Sequence, residues 1–163
     1  MTKDFSVSTP LMDHQRKAVE KLIGSKWNAA FMDMGTGKTL VAIALAQIRK
    51  MKGKIDRVVW FTPVSLMDNV KREIEKHTDA QASDLIYVFS GKTTDDICVN
   101  KFFYIVGIES MSSSSRVVLA ANKIIDEKTM VIVDESDLIK GYGSKRTVRI
   151  TSIASKAKYR MIM

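Results

Sequence analysis

An α/β fold, with a mostly parallel central sheet and helices on both faces, is predicted by three observations. Strand-like apolar runs alternate with helical patterns along the whole chain, with no obvious linker or repeat between them. One strand–turn–helix unit is built around GTGKT at 35–39, and a second β-rich run ends in adjacent carboxylates, Asp134 and Glu135. The 163 residues match the size of one compact unit able to bury a real core.

Taken in order, 13–23 reads as a helix with Asp13 as N-cap, Gly24 as stop and an apolar stripe of Ala18, Val19, Leu22 and Ile23. A short apolar strand follows over 27–32. The helix over 39–51 is apolar on most faces (Leu40, Val41, Ile43, Ala44, Leu45, Ile48), as expected for one packed on a sheet, and Gly53 is its stop. RVVWF at 57–61 is a strand. The helix over 65–77 repeats Leu66, Val70 and Ile74 four residues apart on one face. Strands are expected over 85–89 and 102–106. The serines at 112–115 are too few for a disordered linker and start a helix carrying Val117, Val118, Ala121, Ile124 and Ile125. A strand over 130–133, a loop with Gly141 and Gly143, a helix over 144–154 and a closing strand over 159–163 complete the alternation.

MDMGTGKT at 32–39 has the chemistry of a phosphate cradle. A Gly-rich turn between strand and helix lets successive backbone N–H groups point at phosphate oxygens, and the helix dipole adds partial positive charge. Met34, Gly35, Thr36 and Gly37 form that turn, Lys38 reaches the β- and γ-phosphates, and the Thr39 hydroxyl coordinates magnesium. The full GxxxxGK[ST] pattern is broken, since its first Gly falls on Met32. At the end of the 130–133 strand, Asp134 is placed to hold the magnesium and Glu135 to orient or deprotonate the attacking water. Lys38 and Glu135 are thus the candidate catalytic pair, with ATP and Mg2+ as cofactors. Capping of the following segment is the plainer alternative for the two carboxylates.

Composition excludes several other classes. No apolar run spans a bilayer and no secretory pattern opens the chain, so a soluble intracellular protein is expected. The single cysteine, Cys98, excludes an internal disulfide and reads as a small, wholly or partly buried side chain. His14 and His77 stand too far apart and too unaccompanied to suggest a metal site.

The order Gln15, GTGKT, TPVSL at 62–66, GIESM at 107–111 and DES at 134–136 resembles the first RecA-like lobe of superfamily 2 helicases, and within them the Swi/Snf-type translocases. YRMIM at 159–163 is similar to the strand that leads, in that family, into a TGTP-like segment. The resemblance implies a three-layer P-loop domain over 1–163, with the second lobe outside these residues. It further implies that Gln15 grips the adenine edge through its amide donor and acceptor. Thr62 and Pro63, then the segment from Ile108 through Glu109 to Ser110, would touch the nucleic-acid backbone. Two positions depart from the pattern: Asp137 stands where His is usual, and Gly141 follows Lys140 where Asn is common.

Charge adds an independent observation. From 140 to 163 there are seven basic residues and no acidic one, so seven of the eight net charges lie there. Such a segment suits a nucleic-acid path or a second lobe, and Arg146 and Arg149 are its candidate contacts; a solvated helix face is the alternative. Together these readings predict the ATP-binding lobe of a DNA-dependent ATPase acting on double-stranded DNA and completed by a second RecA-like lobe. A non-catalytic half-motor and an RNA helicase lobe are the alternatives. Arginines of a second lobe would neutralise transition-state charge, a contribution of about 10³ to 10⁵ in rate, so these residues alone are expected to turn ATP over slowly or not at all.

Overall fold

Six β-rich runs pair into one all-parallel sheet in the computed structural model, which describes residues 3–30, 32, 35–79, 82–97, 100–134 and 143–163. Met34, Cys98, Glu135, Ser136, Asp137, Lys140 and Gly141 lie outside the described residues. The strands are β1 (Trp27–Ala29), β2 (Arg57–Thr62), β3 (Ile86–Val88), β4 (Phe103–Gly107), β5 (Thr129–Val133) and β6 (Tyr159–Ile162), in the spatial order β1-β6-β5-β2-β4-β3. The mostly parallel expectation is therefore met by a sheet parallel throughout. β2, β4 and β5 read as continuous Val/Ile/Phe runs because both their faces are covered.

Register and side-chain reach assign the layers. Asn28, Met161, Ile132, Trp60 and Ile105 stand in register and share one face. Arg49 of α2 (Lys38–Met51) reaches that face, its Nη1 lying 3.4 Å from Met130 Sδ and its guanidinium 4.5 Å from the centre of the Tyr159 ring. α1 (Asp13–Ile23) and α3 (Met67–His77) flank α2 there. On the opposite face Arg57 Nη1 donates to the Ile124 carbonyl at the end of α6 (Ser115–Ile124), which packs with α5 (Ser110–Ser113) and α7 (Lys145–Ala154). α4 (Ala82–Leu85) is one turn before β3.

Element boundaries follow from capping chemistry. Met12, not Asp13, is the N-cap of α1, and its backbone N–H is held by Gln15 Oε1 at 2.9 Å; Asp13 is the first helical residue, where its charge suits the helix dipole. Gly24 caps α1 in a right-handed conformation. Gly53 does need its left-handed φ of +64°. It follows the C-cap of α2, donating to the Lys50 carbonyl while Lys54 donates to Arg49. The 65–77 expectation divides into a 3-10 turn, Val64–Leu66, and α3, because Pro63 precedes the turn. The serine run is split, with Ser112 and Ser113 ending α5 and Ser114 capping α6 through the Val117 N–H. Ile125 lies beyond that helix in extended backbone, and Leu85, expected in a strand, ends α4.

The N-terminal segment is strapped over α3 and α2. Phe5 stacks on Phe102 and Phe103 at 5.2 and 5.5 Å, and Val7 bridges Thr78. His77 links Thr9 Oγ1 to Glu73 through its two ring nitrogens. Arg49 is buried without a carboxylate; its Nη2 donates to the Ser25 carbonyl at 2.7 Å, and burial lowers its pKa while Tyr159 opposes that shift. Among the described residues no helix is long and apolar enough to cross a membrane.

Candidate nucleotide-binding site

An open parallel sheet offers its ligand site where loops leave the carboxyl ends of the strands. Here the segments after β1, β2, β4 and β5 leave from that end and are laced by backbone hydrogen bonds. Ile108 N donates to Thr62 O at 2.9 Å, and Asp134 N to Phe61 O at 2.8 Å.

The loop into α2 is shaped by two left-handed glycines, Gly35 at φ +81° and Gly37 at φ +78°. Gly37 is the N-cap of α2, a 14-residue helix whose first N–H groups face away from any helical acceptor. Lys38 and Thr39 occupy the first two helical positions, both half-buried. An anion placed before this terminus meets backbone donors, the dipole and an ammonium together.

Gln15 does something the sequence reading missed. It is only 5% exposed, its Oε1 accepts the Met12 N–H, and its Nε2 donates to the Thr36 carbonyl at 3.1 Å. A Cβ on Gly37 would strike that same Nε2. His14 Nε2 also lies 3.1 Å from the Thr36 carbonyl. The start of α1 therefore braces the phosphate loop, and an adenine grip would draw on amide groups already bonded to backbone.

Asp134 follows β5 directly and is half-buried. Extending the Phe61–Val133 register by one residue puts it beside Thr62, on the sheet face that carries α2. Thr39 and Asp134 thus belong to one face and one end of the sheet, as a nucleotide-bound magnesium requires. Among the described residues no group of three His, Cys, Asp or Glu forms a preformed metal cage. Magnesium takes one or two protein ligands and completes its shell with phosphate and water. A second observation fits the same group: Thr62 Oγ1 is buried with no hydrogen-bond partner among the described residues.

The residues expected at nucleic acid differ in exposure. Thr62 and Ile108 are 0% exposed and Pro63 is buried, Thr62 ending a central strand covered on both sides and Pro63 and Ile108 directly following such strands. Ser110 is half-buried, and the exposed positions of these turns are Val64, Ser65, Glu109, Ser112 and Ser113. Glu109, inside the 108–110 segment expected at nucleic acid, ties the two turns together by accepting the Val64 N–H at 2.9 Å. Gly107 permits this approach, since a Cβ there would lie 2.5 Å from Val64 Cγ2. Arg146 is half-buried in the first turn of α7. Arg149 is committed inward, its Nη1 donating to the Met111 carbonyl at 2.6 Å and lying 3.4 Å from that of Ser112.

Residues 8–161 match the family model described as Type III restriction enzyme, res subunit. No curated protein shows a significant match to this sequence. Among solved structures, the chain is similar to the Sulfolobus solfataricus SWI2/SNF2 ATPase core in complex with dsDNA. The TM-score is 0.77 at 21% identity, over 98% of this chain and 33% of that one. The Pyrococcus furiosus Hef helicase domain matches with TM-score 0.69 at 17% identity, over 91% of this chain and 31% of that one. The UvsW helicase from bacteriophage T4 gives 0.69 at 13% identity, over 98% and 55%. The fold is the RecA-like lobe of helicase cores, and the chain spans about a third of the archaeal ATPase core.

Proposed function

Because this chain belongs to the family described as Type III restriction enzyme, res subunit, whose members carry a helicase-like superfamily 2 domain, we propose that it is the ATP-binding lobe of a Swi/Snf-type, DNA-dependent ATPase. Completed by a second RecA-like lobe, it couples hydrolysis to movement on, or remodelling of, double-stranded DNA. One observation carries the nucleotide part. Two left-handed glycines deliver Lys38 and Thr39 to the start of α2, on the sheet face and at the sheet end where Asp134 leaves β5.

In this reading the Gly35–Gly37 turn binds the β- and γ-phosphates through backbone N–H groups, and Lys38 neutralises them as a point charge. Thr39 and Asp134 would hold magnesium, which when bound would supply charge neutralisation to the phosphates. Glu135 orients the attacking water and takes its proton. Gln15 keeps the loop in its anion-binding shape. The DNA part is supported by the dsDNA-bound archaeal neighbour and by the basic segment 140–163. Arginines of a second lobe would neutralise transition-state charge, so turnover by residues 1–163 on their own is slow.

The test is titration of a fluorescent ATP analogue in Mg2+ against the wild type and Lys38→Ala. The expected result is micromolar-range binding that weakens at least about tenfold in the variant, with an unchanged circular dichroism spectrum. Equal affinities would overturn the nucleotide assignment, and brisk DNA-stimulated turnover by these 163 residues alone would overturn the need for a second lobe.

A further inference from the structure

Thr62 is a puzzle if its role is to touch nucleic acid. It ends β2, the strand flanked by β4 and β5, its side chain is fully buried, and its hydroxyl oxygen has no hydrogen-bond partner among the described residues. A buried hydroxyl left unpaired is less favourable than an apolar group of the same shape, and Val is that group. The hydroxyl's surroundings are specific. Thr62 stands in register with Gly107 on one side, and the β5 register, extended by one residue, sets Asp134 on the other. Register places all three on the sheet face covered by α2, whose first turn carries Thr39.

Resting on the nucleotide reading above, we propose that Thr62 is a positioning residue of the magnesium site. Its hydroxyl is the hydrogen-bond donor that orients the Asp134 carboxylate, or a water that carboxylate holds, once Mg-nucleotide is bound. The unmet hydrogen bond of the free protein is then completed by the ligand. A carboxylate acceptor makes it a charge-assisted bond, roughly twice as strong as a neutral one. The same residue carries the message onward: its carbonyl accepts the Ile108 N–H at 2.9 Å, and Pro63 follows it into the turn that Glu109 holds. Thr62 thus joins the metal position to the 62–66 and 107–111 turns through one side chain and one peptide, with no contact to nucleic acid required.

Thr62→Val and Thr62→Ser separate this role from a packing role. Without nucleotide, Thr62→Val melts at or above the wild-type temperature, by up to a few degrees, since it removes an unpaired buried hydroxyl. Its affinity for a fluorescent ATP analogue in EDTA is unchanged, while the gain in affinity on adding Mg2+ shrinks about tenfold; Thr62→Ser retains most of that gain. A Thr62→Val protein with the full Mg2+ gain, or one whose melting temperature and EDTA affinity both fall, overturns the proposal and leaves the nucleotide site standing. Absence of any nucleotide binding by the wild type overturns both.

Discussion

Replacing Gly37 by Ala tests how the phosphate loop is held. Gly37 sits at φ +78°, and an added Cβ would meet Gln15 Nε2. The left-handed backbone alone costs a non-glycine residue about 1–2 kcal/mol. The steric part is separate: the Gln15 amide must withdraw, breaking its bonds to Met12 N and Thr36 O, each worth about 0.5–1.5 kcal/mol. Gly37→Ala should therefore destabilise the protein by about 3–4 kcal/mol, and Gln15→Ala, which forfeits the same two bonds, by about 2 kcal/mol. In the double variant the steric loss cannot be suffered twice. Its total should stay near about 3–4 kcal/mol, leaving a coupling of about 2 kcal/mol in a double-mutant cycle. Urea denaturation of the four proteins measures this directly. Additivity within about 0.5 kcal/mol would refute the idea that Gln15 braces the loop through Gly37.

Two further outcomes follow from side chains joining the turns of the site. Glu109→Ala removes the acceptor of the Val64 N–H; since both residues are exposed, the stability loss should stay near about 1 kcal/mol, but hydrogen exchange at the Val64 amide should accelerate, and Glu109→Gln should prevent it. Slow exchange in the Ala variant would show that the turn holds without the carboxylate. Among the basic residues, Arg149→Ala should cost about 1–3 kcal/mol of stability by releasing the Met111 carbonyl, while Arg146→Ala should leave stability alone and lower the salt slope of DNA binding by about one. A salt slope unchanged at Arg146 would remove α7 from the DNA surface.

Periodicity carried most of the architecture, since buried parallel strands must read as continuous apolar runs and α2 must be apolar nearly all round. The turn at Gly35 and Gly37 into α2 was legible for a related reason: a tight strand-to-helix turn draws on residues free to take a positive φ. What stayed hidden depended on contacts far apart in sequence. Gln15 and Thr36, Val64 and Glu109, and Met111 and Arg149 meet only because the strands bring their loops to one end. The burial of Thr62, Pro63 and Ile108 was not legible, because a motif names positions without stating which way each side chain faces. The alternation of β2 and β4, read together with their burial on both faces, holds that information but needs the strand ends to be known to one residue.

The strand order has a consequence for biosynthesis. β1, which delivers the phosphate loop, is paired only with β6, Trp27 lying against Arg160. β2 can find β4 and β5 once residue 133 has been made, but β1 must wait until residues 159–162 emerge. The first-made strand is thus among the last to dock. The GTGKT segment, braced early by Gln15 at Thr36, gains its strand-side support only after residues 159–162 have been made.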